Sequence, residues 1–107
     1  MNQNDPPTEH ILACLSSSPS NAKIVRTAAT MAKAFGGTFT ALYVRTPDSD
    51  QMGKEDCRRL QQHIRMAEQA GADISTIYGD DIPQQIAEFA RISGITKIVL
   101  GRSSVHR

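Results

Sequence analysis

The chain has 107 residues, of which 39% are hydrophobic and 21% charged, values that fit one globular domain. Its formal net charge is +1 and it contains no Trp, two Tyr and three Phe, so we expect no nucleic-acid partner. No apolar run approaches the roughly 20 residues that span a bilayer. The polar residues 1–9 lack the parts of a signal peptide, so we expect a flexible leader before a cytoplasmic domain without direct membrane contact.

The first part of the chain predicts a strand, a helix and a second strand. Residues 10–15 are almost continuously apolar, which is typical of a central parallel strand buried on both faces. Serines then stop the strand, and Ser18 is predicted to cap a helix whose first residue is Pro19. A Gly-Gly pair at 36–37 ends that helix. The apolar run over 38–44 predicts the second strand.

The middle of the chain predicts a loop, a helix and a third strand. Residues 45–52 are polar and indicate a surface loop. A helical period begins at about residue 54 and ends near Gly71, and a strand follows over about 73–78. The predicted inward-facing residues of this helix are Cys57, Leu60, Ile64 and Ala67.

The last part predicts a third helix and a fourth strand. Asp80 and Asp81 precede the helix, where carboxylates favour the positive end of the helix dipole and are more typical of a cap than of a catalytic pair. Gly94 ends the helix, and residues 96–100 form the last strand. The predicted inward-facing residues of the helix are Ile82, Ile86, Phe89 and Ala90. This β-α-β-α-β-α-β order predicts an α/β fold with a three-layer, open parallel sheet.

The cysteines and histidines do not indicate a covalent framework or a metal site. Cys14 lies in an apolar strand and Cys57 in a charged helical segment, which is no disulfide pattern. Neither has metal-ligand spacing with His10, His63 or His106. We therefore expect free thiols and no bound metal.

Two hydroxyl-rich loops follow the first and fourth strands. Ligands of open parallel sheets bind beyond the carboxyl ends of strands, where the strand order reverses. If these two strands flank that point, the serine loop (residues 16–18) meets residues 101–104. Free N–H groups at a helix N-terminus suit a phosphate, and Arg102 can donate two hydrogen bonds to one. Alternatively, both loops serve only as turns and caps.

The apolar first strand with its serine loop, the Gly79-Asp80-Asp81 turn and residues 97–101 together resemble the universal stress protein family over nearly the whole chain. This resemblance implies the fold that the family shares with adenine nucleotide alpha hydrolase-like proteins. Residues 14–20, 41–44 and 96–103 most resemble the family's domain in potassium-responsive sensor histidine kinases. The resemblance implies a non-catalytic regulatory domain of a membrane-anchored, two-component kinase that controls potassium-transport genes, with the kinase's other domains as partners.

The resemblance also bears on the ligand. ATP-binding members place an aspartate where this chain has Ser16 and a second glycine where it has Ser104, so ATP is the less expected ligand. Members that bind cyclic di-AMP carry Ser-x-Ser, twenty residues and then Phe-Thr-Ala-x-Tyr, and this chain matches that pattern in type and spacing. The candidate ligand-binding residues are Ser16, Ser17, Ser18, Phe39, Thr40, Ala41, Tyr43, Gly101, Arg102 and Ser103.

Two other functions remain open on the sequence. One is a protein-docking module that pairs with a free-standing universal stress protein and takes no small ligand. The other is an independent ATP-binding stress protein, which Ser16 and the missing glycine disfavour. It contains no Walker A sequence or nucleophile elbow, so we expect no enzymatic activity. The domain, residues 10–107, stops before the final helix and strand of the related fold. We therefore expect the fourth strand to be an exposed edge capable of pairing in a dimer.

Overall fold

The computed structural model describes residues 9–100, and within this range the elements follow the predicted order. The strands are β1 (His10–Cys14), β2 (Thr38–Arg45), β3 (Asp73–Tyr78) and β4 (Lys97–Val99). The α-helices are α1 (Asn21–Phe35), α2 (Lys54–Gln69) and α3 (Ile82–Ser93), with a 3₁₀ turn at Asp48–Gln51. Most of the predicted leader and the predicted site residues Gly101, Arg102 and Ser103 lie outside the described residues.

The four described strands form one parallel sheet in the order β3-β2-β1-β4. Because the chain moves from β1 outward through β2 and β3 and then returns to the other side of β1, the strand order reverses between β1 and β4. The prediction that these two strands flank the reversal is confirmed. Within residues 9–100, β4 pairs with β1 alone and forms an edge of the sheet. Pairing of that edge in a dimer stays a prediction.

One face of the sheet carries most of the core and is covered by α1 and α2. Ile11 and Ala13 of β1 are fully buried there, together with Val25 and Ala28 of α1. The prediction that Cys57 joins the inward stripe of α2 is wrong, because Cys57 is exposed. The stripe that packs on the sheet begins one turn later, and its buried residues are Leu60, His63 and Ala67.

The other face is covered, within the described part of the chain, by α3. Leu12, Leu42 and Val44 form a small buried cluster, and Ile86, Phe89 and Ala90 of α3 pack on it as predicted. Ile82 was predicted to face inward, and this is wrong: its side chain is 44% exposed in the first turn of α3. A single helix covers less of a sheet face than two helices do, so this face is less completely covered.

The ends of α1 and α3 show which local sequence signals set the helix boundaries. Gly36 and Gly94 adopt left-handed conformations with φ of 64° and 68° and end α1 and α3 as predicted. Asp81 caps α3 by accepting a hydrogen bond from the Gln84 N–H at 3.2 Å. The predicted start of α1 is wrong, because the helix begins at Asn21 with Ser20 at the N-cap. Residues 16–20 instead form a loop that Asn21 holds in place.

We predict that Gly37→Ser lowers the free energy of unfolding by about 2–3 kcal/mol. A Cβ at Gly37 would overlap the Glu9 backbone carbonyl, which accepts a hydrogen bond from the Thr38 N–H at 2.9 Å where β1 and β2 begin to pair. The strands cannot separate there without losing this bond. Urea denaturation measures the effect.

Gly53→Ser is the matched control for this substitution. A Cβ at Gly53 meets nothing within 4 Å, and serine is a favoured residue at this N-cap of α2. We expect its stability to be unchanged or slightly increased. Equal stability of the two variants would contradict the proposed close approach at Gly37.

Candidate functional site

A cleft of about 610 Å³ opens at the carboxyl ends of the strands, beside the point where the strand order reverses. The serine loop (residues 16–18) and Asn21 form one polar wall, and residues of the segment 46–52 form another. Apolar side chains from several elements complete the lining: Ile24, Leu42, Val44, Ile82, Ile86 and Leu100. The volume falls within the range of about 300–1,000 Å³ that is typical of small-molecule sites.

A larger depression of about 720 Å³ lies at the opposite end of the sheet. Its lining includes Gly37, Thr38 and Phe39 at the start of β2 and Asp73 at the start of β3. Open parallel sheets bind ligands beyond the carboxyl ends of their strands, not the amino ends. We therefore take the smaller cleft as the candidate site.

The structure brings together some of the predicted site residues and separates others. Ser16, Ser17, Ser18 and Tyr43 all line the cleft. Phe39 and Ala41 are buried in the core under α1 and α2, at 5% and 0% exposure, and neither lines the cleft. Thr40 pairs with Leu12 in the amino-terminal half of β2 and lies outside the cleft as well. The pattern at 39–41 thus supports the strand that carries Tyr43.

The side-chain amide of Asn21 fixes the start of the serine loop. Asn21 is only 4% exposed, and its Nδ2 donates a hydrogen bond to the Cys14 carbonyl at 2.8 Å. Its Oδ1 accepts a hydrogen bond from the Ser16 N–H at 3.1 Å. The first residue of α1 therefore closes the loop onto the end of β1, and both polar ends of the buried amide are satisfied.

Two side chains of α2 bind the next carbonyls of the same loop. His63 is 4% exposed, and its Nδ1–H donates to the Ser16 carbonyl at 2.8 Å, since a carbonyl oxygen can only accept. Arg59 donates from Nη1 to the Ser17 carbonyl at 3.0 Å and forms an ion pair with Asp56 at 3.1 Å. Arg59 thus anchors the loop from α2.

Neither Asn21 nor His63 was recognised as a site residue from the sequence, although a signal was present. Asn21 lies on the apolar stripe of Val25, Ala28 and Ala32 at helical spacing, and His63 lies between the buried Leu60 and Ala67. A polar residue in a buried stripe needs an internal hydrogen-bond partner. The sequence could have shown that such partners exist. It could not have shown that they are the Cys14 carbonyl and the Ser16 N–H for Asn21 and the Ser16 carbonyl for His63.

The segment 46–52 is folded on itself by short hydrogen bonds. The Ser49 hydroxyl donates to the Thr46 carbonyl at 2.7 Å and accepts from the Thr46 N–H at 3.0 Å. Arg45 and Asp50 form an exposed ion pair at 2.7 Å across the same segment. These contacts hold Thr46, Asp48 and Ser49 along the cleft.

Cys14 also lines the cleft, at the carboxyl end of β1. Desolvation by burial raises the pKa of its thiol from 9.0 to about 11, because the thiolate is poorly stabilised in apolar surroundings. The thiol is therefore protonated and weakly nucleophilic at neutral pH.

Among residues 9–100, no group of three or more His, Cys, Asp or Glu side chains is placed to hold a metal ion. No helix in that range is long and apolar enough to cross a membrane.

Comparison with known proteins identifies the family. The model of the universal stress protein family matches residues 7–107, and the chain belongs to this family. It is similar to the Sensor protein KdpD of Clostridium acetobutylicum, with 38% identity over 96 residues, 90% of this chain and 10% of that protein. It is also similar to the Sensor protein KdpD of Escherichia coli K12, with 30% identity over 97 residues, 91% of this chain and 11% of that protein. The chain thus spans about a tenth of the length of these curated relatives.

Solved structures agree on the fold. A universal stress protein family member from Burkholderia pseudomallei has a TM-score of 0.69 at 20% identity, covering 91% of this chain and 85% of that one. A universal stress protein in complex with cAMP has a TM-score of 0.65 at 16% identity, covering 87% and 71% of the two chains. One from Archaeoglobus fulgidus in complex with dAMP has a TM-score of 0.57 at 21% identity, covering 89% and 81%.

We predict that Asn21→Ala destabilises the domain by about 2–3 kcal/mol, because it leaves the buried Cys14 carbonyl and Ser16 N–H without their partners. Urea denaturation measures this loss. Lys23→Ala, an exposed position in the same turn of α1, is the control and should change stability by less than about 0.5 kcal/mol. Equal effects of the two substitutions would contradict the anchoring role of Asn21.

We also predict a difference in thiol chemistry between the two cysteines. At pH 8 the exposed Cys57 should react with a thiol reagent much faster than Cys14, whose pKa of about 11 leaves little thiolate. Cysteine-to-alanine variants that retain one thiol each isolate the two rates.

The folded-state pKa of Cys14 exceeds the unfolded value of 9.0, so the folded domain holds the thiol proton more tightly than the unfolded chain does. The contribution of the protonated thiol to the free energy of unfolding is therefore complete below pH 9 and falls as the pH rises to about 11. Equal reaction rates at pH 8 would show that Cys14 is not desolvated.

Proposed function

We propose that this chain is a non-catalytic regulatory domain of a sensor histidine kinase of the KdpD kind, and that it binds a small nucleotide such as cyclic di-AMP in the cleft. The single observation that carries the proposal is that Ser16, Ser17, Ser18 and Tyr43 line one cleft at the reversal of strand order. The cAMP and dAMP complexes of structurally similar proteins support a nucleotide as the class of ligand.

The lining suits both the polar phosphate and sugar and the apolar faces of the base of a nucleotide. The serine and tyrosine hydroxyls can donate hydrogen bonds to phosphate oxygens or to a sugar. The apolar residues Ile24, Ile86 and Leu100 offer a dry surface for a base. Residues 101–103 follow Leu100 directly, and we propose that Gly101, Arg102 and Ser103 complete the site from the β4 side.

The Cys14 thiol that lines the cleft and the histidine that holds the serine loop favour binding over bond-making. Burial raises the pKa of the Cys14 thiol to about 11 and holds it protonated, so it is a poor nucleophile. His63, the buried histidine, commits its Nδ1–H to the Ser16 carbonyl. His63 thus holds the loop and the Cys14 thiol stays protonated in the lining, which is consistent with a domain that senses a ligand.

We propose the following place for such a domain in a longer protein. In the proposed parent, the domain lies on the cytoplasmic side of a membrane-anchored two-component kinase and contacts the kinase's other domains. Occupation of the cleft would bias the conformation of the serine loop and α2, and through them the output that controls potassium-transport genes. A ligand can shift such an equilibrium only by its difference in affinity for the two states.

A second candidate is docking of a free-standing universal stress protein without a small ligand. The observation that favours it is a set of exposed apolar side chains in β4, directly after it and in α3. Ile98 in β4 is 41% exposed, Leu100 is 53% exposed and Ile92 in α3 is 71% exposed. An edge strand with exposed apolar side chains can pair with another chain, which includes a second copy of this one. Binding of ATP as an independent stress protein is the weakest candidate.

We predict that the purified chain binds cyclic di-AMP in calorimetry, and that Tyr43→Phe weakens binding about tenfold by removing one hydrogen-bonding hydroxyl. Tyr78→Phe is the matched control. Tyr78 is 57% exposed at the end of β3 and does not line the cleft, so its affinity should equal that of the unchanged chain.

Two outcomes would count against the nucleotide proposal. No heat at ligand concentrations of tens of micromolar would exclude cyclic di-AMP as the ligand. Equal loss in the two tyrosine variants would exclude the cleft as the site. Absence of heat together with recovery of a purified universal stress protein in a pull-down would favour the docking function.

A further inference from the structure

Asp48 gives the cleft an unusual charge for a nucleotide site. It lies in the 3₁₀ turn and is the one side chain among the described lining residues that carries a full charge at neutral pH. The described lining includes no Lys or Arg. A phosphate that enters the cleft beside the segment 46–52 therefore meets a carboxylate. The one cation that we propose for the site, Arg102, would come from the opposite, β4 side.

The neighbouring acid of the same turn does not contribute in this way. Asp50 is paired with Arg45 at 2.7 Å, so its charge is largely neutralised where it lies. Asp48 forms no ion pair within residues 9–100. The charge that the segment 46–52 presents to the cleft is thus the charge of Asp48.

The serine loop is also less suited to a highly charged phosphate than the sequence indicated. Its N–H groups were expected to be free for an anion, but several bond within the loop. The Ser16 N–H donates to Asn21 Oδ1 at 3.1 Å, and the Ser18 N–H donates to Ser16 Oγ at 3.2 Å. The Ser20 N–H donates to Ser18 Oγ at 3.4 Å. The loop therefore offers mainly hydroxyl donors, which suit a weakly charged phosphate.

We propose that Asp48 makes the cleft selective for nucleotides whose phosphates carry one negative charge each. These are phosphodiesters, as in cyclic mono- or dinucleotides, and the cleft disfavours nucleotides with a terminal phosphate. The inference rests on the proposed function, since it names the charge class of ligand for that same cleft. Asp48 also supplies an acceptor for an amino or hydroxyl group of such a ligand.

The experiment compares two ligands that share the same base and sugar. Cyclic AMP carries one phosphate charge, whereas 5′-AMP carries close to two at pH 7.5 because the second pKa of a phosphomonoester is about 6. The ratio of their dissociation constants is measured by calorimetry for the unchanged chain and for Asp48→Asn. Comparing the two ratios removes the effect of ligand shape, as in a double-mutant cycle.

We expect the unchanged chain to bind cyclic AMP more tightly than 5′-AMP. Asp48→Asn should reduce this preference about threefold at low salt, which is the effect of one added charge about 8 Å away in a solvated cleft. The reduction should shrink at about 1 M salt, where the Debye length is about 3 Å. Asp48→Glu keeps the charge and should keep the preference.

Asp73→Asn is the matched control. Asp73 is an exposed acid at the start of β3, and it lines the depression at the opposite end of the sheet, so its removal changes net charge equally. This variant should leave the ratio unchanged. An equal reduction in both variants, or an unchanged ratio in Asp48→Asn, would overturn the inference and leave the proposed function standing. Failure of cyclic AMP, 5′-AMP and cyclic di-AMP all to bind would overturn both.

Discussion

The hydrogen bonds of the Asn21 side chain connect the end of β1 to the first turn of α1, and the shape of the cleft depends on them. The amide is buried and bonds to the Cys14 carbonyl and to the Ser16 N–H. His63 and Arg59 extend the same arrangement by binding the next two carbonyls of the loop. Three side chains from two helices thus hold the backbone on one side and leave loop hydroxyls available to the cleft.

The two faces of the sheet are covered unequally. Two helices bury one face of the sheet, whereas α3 covers the small cluster of Leu12, Leu42 and Val44 on the other. Ile82 in the first turn of α3 lies at the cleft and not in the core. Apolar side chains in and directly after β4 remain exposed. A docking partner would contact these exposed side chains. Ligand binding and docking would therefore be coupled through α3 and the end of β4.

The balance of charge in the cleft connects its geometry to its chemistry. Hydrogen bonds within the serine loop occupy N–H groups that could otherwise bind an anion. Together with the carboxylate of Asp48, they reduce the attraction of the cleft for highly charged phosphates. The hydroxyls and the apolar lining still suit a base and a singly charged phosphate. A domain with the proposed properties would distinguish a cyclic nucleotide from the more highly charged ATP.

The amino-acid sequence by itself determined the order of elements, the helix ends at Gly36 and Gly94 and the cap at Asp81, because periodicity and cap chemistry act over a few residues. It also indicated the place of the site, since the carboxyl ends of parallel strands share one edge of a sheet. Tertiary structure decided which residues line the candidate cleft. The start of α1 differs from the predicted one because the Asn21 side chain bonds to the end of β1. In β2, Tyr43 lines the cleft, whereas Phe39 and Ala41 are packed in the core. Asp48 and His63 lie 32 and 47 positions beyond Ser16, and only the fold brings them to the cleft and to the serine loop. Contacts over such separations depend on how the layers pack, and no local pattern in the sequence records them.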